Sequence, residues 1–193
     1  FTYLENKSKN NFSFGSTRNS NTQKKINFIH KISDLYVFEV IGNDQVKTNW
    51  SENFQDKNYD IKDYSINPKL TYFSGENNRI NFIYKLSNIS NLIGNQESLK
   101  QQNFGISLFL NQKEKRGFIS EFNYYKNEFN GELNSVISYV MMNGLQGGEN
   151  YTWSFKFQRK LSKLLDINFI YLGRKSNSLR TIHNGSIQLK AIF

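Results

Sequence analysis

The sequence contains no cysteine, two histidines and one proline in 193 residues. Without cysteine the chain can have neither a disulfide framework nor a thiolate metal site, and two histidines argue against a histidine-rich metal site. The scarcity of proline is typical of a chain in which most residues donate hydrogen bonds to strand ladders. The sequence also lacks any run of about 18 apolar residues, which excludes a helical membrane span.

The apolar surface of the chain is concentrated in aromatic rings. Hydrophobic residues make up only 37% and the mean hydropathy is −0.64, yet aromatic residues reach 16%, with 17 Phe and 11 Tyr. A mean hydropathy this low is compatible with a membrane β-barrel, because the lumen-facing half of each strand is polar. No break in composition divides the chain, so we expect one domain.

The net charge of +9 would ordinarily indicate a nucleic-acid or anionic-membrane partner. The lysines are scattered singly, in turns and at alternate positions of candidate strands, and not along one stripe. This distribution suits lumen walls and loop contacts with anionic lipid headgroups, so we expect no nucleic-acid partner. A genome whose composition favours Asn, Lys and Ile is an alternative origin of the charge, and it stays open.

Strand periodicity is clearest in the last third of the chain. Residues 151–161 and 165–171 alternate rings or aliphatic side chains with polar ones, and the tight connection between them predicts a hairpin. A polar turn at 173–178 then leads into a final alternating strand. Predicted to face lipid are Tyr151, Trp153, Phe155, Phe157, Ile167, Phe169 and Tyr171. Predicted to face the lumen are Glu121, Asn123, Lys156, Gln158, Asp166, Asn168, Gln188 and Lys190.

The same alternation predicts further strands upstream, near 70–72, 80–86, 104–110, 118–125 and 132–142. In the last of these, one face would carry Leu133, Ile137, Tyr139 and Met141. Residues 1–65 are less regular: a hairpin is predicted around Ser33 and Asp34, a weak strand near 12–14, and a long polar loop at 43–65. We therefore divide the chain into a weakly patterned part, 1–65, and a region of barrel strands, 66–193.

One short motif occurs three times, at 26–30, 80–84 and 167–171. Each copy is Ile-Asn-Phe-Ile followed by an aromatic ring. The unequal spacings exclude a solenoid repeat. We interpret the motif as a sequence pattern for a membrane-spanning strand that the chain uses three times. The first Ile, the Phe and the ring point outward and the Asn points inward.

Successive hairpins, with aromatic residues at both ends of many strands and a last strand ending in Phe193, resemble the outer-membrane β-barrel proteins of Gram-negative bacteria. This resemblance implies an antiparallel up-and-down transmembrane β-barrel with about 8–10 visible strands. It also implies an outer-membrane location, contact with membrane lipid and lipopolysaccharide, and other envelope proteins as partners. The stretch 150–193 is similar to the C-terminal part of large Bacteroidota barrels, notably in Gly173-Arg174-Lys175-Ser176 and Arg180-Thr181-Ile182-His183.

In that family an alternating final strand with a terminal aromatic residue is the signal read by the barrel-assembly machinery. The residues that match it here are Ile187, Leu189, Ala191 and Phe193. Family topology puts the C-terminus in the periplasm, and counting hairpins back makes the 88–100 connection periplasmic too. That connection is long for a periplasmic turn. Either one strand is miscounted, or this segment, with Leu92 and Ile93, contacts another protein.

The one candidate catalytic group is His183 with Ser186, near Asp166. Residues separated by an odd number face opposite sides of a regular strand, so His183 and Ser186 could not share a proton there, and we expect no enzyme. His30, followed by Asp34, fits an interfacial aromatic position better than a ligand role. The pair Gly147-Gly148 is followed by Glu149 and not by a phosphate-binding lysine, so we expect turn glycines and no cofactor.

Three functions stay open at this stage. The leading one is a non-enzymatic structural, assembly or transport component of a larger envelope protein, with residues missing before Phe1. The second is a pore or transporter fragment, because a closed eight-stranded barrel is filled by its own side chains and a lumen would need further strands. The third is a secreted β-sandwich adhesin, whose buried face would also alternate. The polar faces could line a channel or simply fill a small barrel.

Overall fold

The computed structural model describes residues 1–13, 15–75, 77–112, 116–162, 164–177 and 179–191. Ten strands dominate them. No helix in these residues is long and apolar enough to cross a membrane. The elements are β1 (Thr2–Phe12), β2 (Gly15–Lys31), β3 (Tyr36–Ser51), β4 (Tyr59–Ser74), β5 (Asn78–Asn91), β6 (Ser98–Gln112), β7 (Arg116–Asn130), α1 (Val136–Met141), β8 (Gly148–Lys160), β9 (Leu165–Ser176) and β10 (Ile182–Ala191), with a 3-10 turn at Gln55–Lys57.

All ten strands belong to one antiparallel sheet whose order follows the sequence from β1 to β10. This confirms the predicted up-and-down architecture. The sheet is open: among the described residues no ladder joins β1 to β10. A β-sandwich needs two sheets packed face to face, so the adhesin alternative does not fit this single sheet.

The two faces of the sheet have opposite chemistry, and the polar face is the more buried. In β5, Asn81 is 9% exposed and its neighbour Phe82 is 49% exposed; in β6, Asn103 is 9% exposed and Phe104 is 50% exposed. A soluble protein shows the reverse, with apolar side chains inside. Side chains crowd together on the concave side of a curved sheet, so we call the polar face the inner face and the apolar face the outer face.

The strand register carries these faces across the sheet. Phe38, Leu70, Phe82, Ile106 and Phe122 are successive partners from β3 to β7 and share the outer face. The three copies of the repeated motif follow the same rule. Their asparagines, Asn27, Asn81 and Asn168, lie on the inner face, as predicted.

The predicted strand at 132–142 is wrong. This segment contains the helix α1, whose N-cap is Ser135: its Oγ accepts a hydrogen bond from the Ser138 amide at 3.0 Å. The apolar residues fitted a period of two only in part. Ile137, Val140 and Met141 fit the helical spacing of three and four, and they pack inward together with Met142.

The predicted loop at 43–65 is also wrong, because β3 continues to Ser51 and β4 begins at Tyr59. The outward positions here include Asp44 and Thr48, so no apolar alternation marks the strand. Strands β2, β3 and β4 have 17, 16 and 16 residues. A tilted membrane crossing takes only about 9–11. These strands are therefore longer than a membrane crossing requires. In their polar halves the backbone hydrogen bonds form although neither face of the strand is apolar.

One further predicted boundary, at residue 173, is wrong. The turn predicted from residue 173 begins only after Ser176, since β9 runs through Gly173. Pro68, the one proline, lies inside β4 opposite Val40, and the β4–β5 ladder is interrupted at residues 67 and 68. The absence of a donor on proline explains the interruption.

The strand count resolves the problem of the 88–100 connection. With 132–142 helical, seven strands and not eight lie between 66 and 193, and the connection shrinks to 92–97. It then lies at the same end of the sheet as the connections 52–58 and 131–147. The ends of β2, β4, β6 and β8 lie at the opposite end of the sheet, where β10 finishes. The first of the two explanations, a miscounted strand, is therefore correct.

Candidate functional site: the inner face and its inward segment

The inner face carries all the residues that the sequence predicts to face a lumen. Glu121 and Asn123 pair with Ser154 and Thr152 of β8. Across β8, β9 and β10 the register aligns Gln158 with Asn168 and Gln188, and Asp166 with Lys190. Lys156 shares this face, opposite Ile119 and Ile170. Ile170 and Leu172 show that the inner face of β9 is only partly polar.

Side-chain amides and hydroxyls link neighbouring strands along the inner face. Asn81 is the clearest case: its Oδ1 accepts from Thr71 Oγ1 at 2.9 Å, and its Nδ2 donates to Ser107 Oγ at 2.9 Å. The Gln101 Nε2 on β6 donates to Asn127 Oδ1 on the next strand, β7, at 2.9 Å. These bonds satisfy buried polar groups that would otherwise destabilise the sheet.

One ion pair lies on the inner face at β3 and β4. The Lys69 ammonium contacts the Glu39 carboxylate, which also accepts a hydrogen bond from Asn27 Nδ2 at 2.8 Å. Both charged side chains are largely shielded from solvent. The carboxylate is thus held by donors from β2 and β4 at once.

The connection 131–147, which we call the inward segment, folds back onto the inner face. Met141 and Met142 are each 2% exposed and pack against Ile61, Ile89 and Leu99 from β4, β5 and β6. These are the buried hydrophobic residues of the described chain. A core of this kind fixes the segment in place, since each buried methionine contributes about 2 kcal/mol relative to exposure.

Polar contacts fix the other end of the inward segment. Its Gln146 carbonyl accepts from Asn127 Nδ2 at 2.9 Å and from Asn150 Nδ2 at 2.8 Å. The Arg174 guanidinium donates to the Gly144 carbonyl at 3.3 Å from the far side, on β9. The segment therefore spans the inner face from β4 to β9 at the end of the long connections.

Below the inward segment, the inner face between β7 and β10 holds a cavity of about 440 Å³. Acidic, basic, amide and hydroxyl groups share its wall with two aliphatic side chains. The lining residues include Glu121, Asn123, Thr152, Ser154, Leu172, Arg174, Ile182 and Asn184.

A carboxylate anchors another part of the long-connection end. Glu52, in the connection 52–58, accepts hydrogen bonds from the Ser16 amide at 2.8 Å and from Ser16 Oγ at 3.0 Å. These two donors, the amide first, hold the pKa of the Glu52 carboxyl below its ordinary value. The contact joins the start of β2 to the connection that follows β3.

The outer face carries the residues predicted to face lipid, and their rings contact one another across strands. Tyr84 and Phe104 have ring centroids 4.4 Å apart, and Tyr124 and Tyr151 have theirs 5.3 Å apart. Phe155 stacks with Tyr171 at 5.9 Å. The strand register also puts on this face the predicted residues Trp153, Phe157, Ile167 and Phe169.

Gly173 has a packing role on this face. A Cβ atom at that position would lie 2.1 Å from Trp153 Cε2, so the indole ring lies directly over the glycine. The sequence predicted a turn glycine here, whereas the structure shows a strand glycine that makes room for a ring.

The residues of the candidate catalytic group do not come together. His183 pairs with Gly173 on the outer face, where its Nδ1 is 2.7 Å from the Tyr171 hydroxyl. Ser186 and Asp166 lie on the inner face, opposite Ile170 and Lys190. This is the separation that the odd spacing predicts. His30 lies on the outer face near the end of β2, and Asp34 pairs with Lys31 at 2.6 Å instead.

The predicted assembly signal lies on β10, at one edge of the sheet. Ile187, Leu189 and Ala191 share its outer face, and the first two are exposed. Phe193 lies outside the described residues.

Sequence reasoning missed the inward segment and its contacts. Ser135 before an apolar run and the adjacent Met141-Met142 pair were the available signals, since consecutive buried residues suit a helix better than a half-buried strand. The roles of Asn127 and Arg174 could not be read from the sequence, because their partners lie on other strands.

No protein-family model matches the chain, and neither does any curated protein. Solved structures similar to the chain include OmpT, an outer membrane protein of Vibrio cholerae, and its mutant with loop L8 deleted. The fold is that of an outer-membrane β-barrel. The TM-score is 0.61 for both, at 9% and 8% identity, and 97% of this chain is covered. The likeness at this identity concerns the fold alone. The chain spans 64% and 62% of the lengths of those two chains.

Proposed function

We propose that the chain forms part of the wall of a water-filled pore in the outer membrane of a Gram-negative bacterium, without enzymatic activity. The observation that carries this proposal is the polar inner face of a sheet that ten strands leave open. A barrel of about eight strands is filled by its own side chains, whereas barrels of about 16–18 strands enclose an aqueous channel. The sheet is open and the chain spans 62–64% of its structural neighbours' length, which fits a barrel of the larger kind.

In this proposal the outer face meets lipid and the inner face meets water. Outer-membrane barrels have short periplasmic turns and longer external loops. The end of the sheet where β2, β4, β6 and β8 finish, each with three or four residues before the next strand begins, would then face the periplasm. The inward segment would restrict the pore from the outside. The barrel-assembly machinery would insert the protein by recognising the alternating apolar residues of β10. The connections outside the membrane would contact lipopolysaccharide. A Bacteroidota origin is part of the same proposal and rests on the sequence resemblance.

A structural or assembly role within an envelope complex is the second candidate. It is favoured by apolar side chains that are exposed at the long-connection end, namely Leu92, Ile93, Leu133 and Tyr139. Exposed apolar groups beyond the membrane suit contacts with another envelope protein.

The full-length protein in a planar lipid bilayer separates the two candidates. We expect discrete steps of steady conductance, because a pore wall of this polarity holds water and ions. A protein that inserts, as shown by heat-modifiable mobility and protease resistance, and yet gives no conductance would overturn the pore and leave the structural role.

A further inference from the structure

Cations exceed carboxylates on the described part of the inner face. The strand register points ten cations inward, namely Lys25, Lys31, Lys47, Lys69, Arg79, Lys85, Lys156, Lys160, Arg174 and Lys190. Against them the inner face of the strands carries the carboxylates Glu39, Asp63, Glu121 and Asp166. The excess of positive charge in the whole chain is therefore present on this face too.

Three of these four carboxylates have cations beside them. Glu39 is in contact with Lys69 and accepts a hydrogen bond from Asn27, as described above. Asp63 interacts electrostatically with two lysines, Lys85 and Lys47, which flank it from β5 and β3. Asp166 lies opposite Lys190. Cations beside these carboxylates offset part of their charge and leave positive charge over, for example at the exposed Lys156.

A concave wall of one sign of charge concentrates ions of the opposite sign, because a low-dielectric wall focuses the field into the aqueous space. Lysine and arginine lining a pore favour anions for this reason. The Asn, Gln, Ser and Thr side chains between the charges are neutral, so they do not reverse the sign.

We propose that the pore is selective for anions, and that small hydrophilic anionic solutes are its preferred cargo. This inference rests on the proposed pore function. The inference assigns the selectivity to inward cations, of which Lys85 and Lys156 are the clearest cases. Lys85 lies near Asp63, a carboxylate that Lys47 also flanks, and Lys156 is exposed on the inner face.

The test is the reversal potential of the full-length protein in a planar bilayer under a tenfold KCl gradient. We expect a potential of the sign that chloride permeation gives. Lys156→Glu should move it towards the potassium side, and adding Lys85→Glu should move it further. The matched control is Lys100→Glu, an exposed lysine on the outer face of β6, which should leave the potential unchanged.

The outcomes separate the two proposals. A conducting wild-type protein that is cation-selective or unselective overturns the anion preference and leaves the pore intact. The same holds if the inner and outer variants shift the potential equally, since the charges on the inner face would then not set it. An inserted protein without conductance overturns the pore and, with it, this inference. The wild-type measurement decides the sign even if a variant fails to fold.

Discussion

At the scale of single residues, the molecule is organised by a change of environment at every step along a strand. Asn81 and Phe82 are adjacent, yet one is buried among amides and hydroxyls and the other is exposed among rings. This division could be predicted from the sequence, because alternation is a local property. What Asn81 binds could not, since Thr71 and Ser107 come from other strands.

The contact between Trp153 and Gly173 gives a prediction at this scale. Gly173→Ala should lower the free energy of unfolding by about 1–3 kcal/mol, because the added methyl group collides with the indole ring and forces it aside. The measurement is the urea midpoint of unfolding from detergent micelles or vesicles.

The matched control is Gly185→Ala, in the neighbouring strand β10. A Cβ atom there would have its nearest contact at 3.9 Å, with the Ile170 carbonyl oxygen, so the same substitution has room. Equal midpoints for the two variants would show that the ring does not lie over Gly173.

At the scale of elements, the strands with an outward apolar stripe could be located from the sequence, and the others could not. β8 and β9 are marked by rings along their outer faces. The loop-end half of β3 carries Asp44 and Thr48 outward, and its backbone ladder gives no signal in the side chains. The helix α1 was mistaken for a strand because six residues are too few to separate a period of two from a period of 3.6.

The anchoring of the inward segment gives a prediction at this scale. The double variant Met141→Ala and Met142→Ala should release the segment, because buried methionine-to-alanine changes each cost about 2–5 kcal/mol. We expect faster cleavage within 131–147 by a protease added from outside the membrane, while the strands stay protected.

The control for this variant is Tyr139→Ala in the same helix, where the side chain is 67% exposed. It should leave the cleavage rate close to that of the wild type. If the double variant is cleaved no faster than this control, the methionines do not hold the segment against the inner face.

At the scale of the whole molecule, the class of fold was predictable and the arrangement of the ends was not. Ten strands in sequence order follow from repeated hairpins. The end of the sheet at which each connection lies depends on the correct strand count. Predicting the helix α1 as a strand therefore put the connection 92–97 at the wrong end. The openness of the sheet and the cavity on its inner face depend on curvature, which no local pattern encodes.

The central claim is that rings on alternate positions meet hydrocarbon while their neighbours meet water inside a pore. Spin labels at positions 155 and 156, one at a time in the membrane-inserted protein, test it most directly, with 169 and 168 as a second outer and inner position on β9. We predict that labels at 155 and 169 collide mainly with oxygen dissolved in lipid, and that labels at 156 and 168 collide mainly with a water-soluble nickel chelate. Equal accessibility at 155 and 156 to either reagent would contradict the claim.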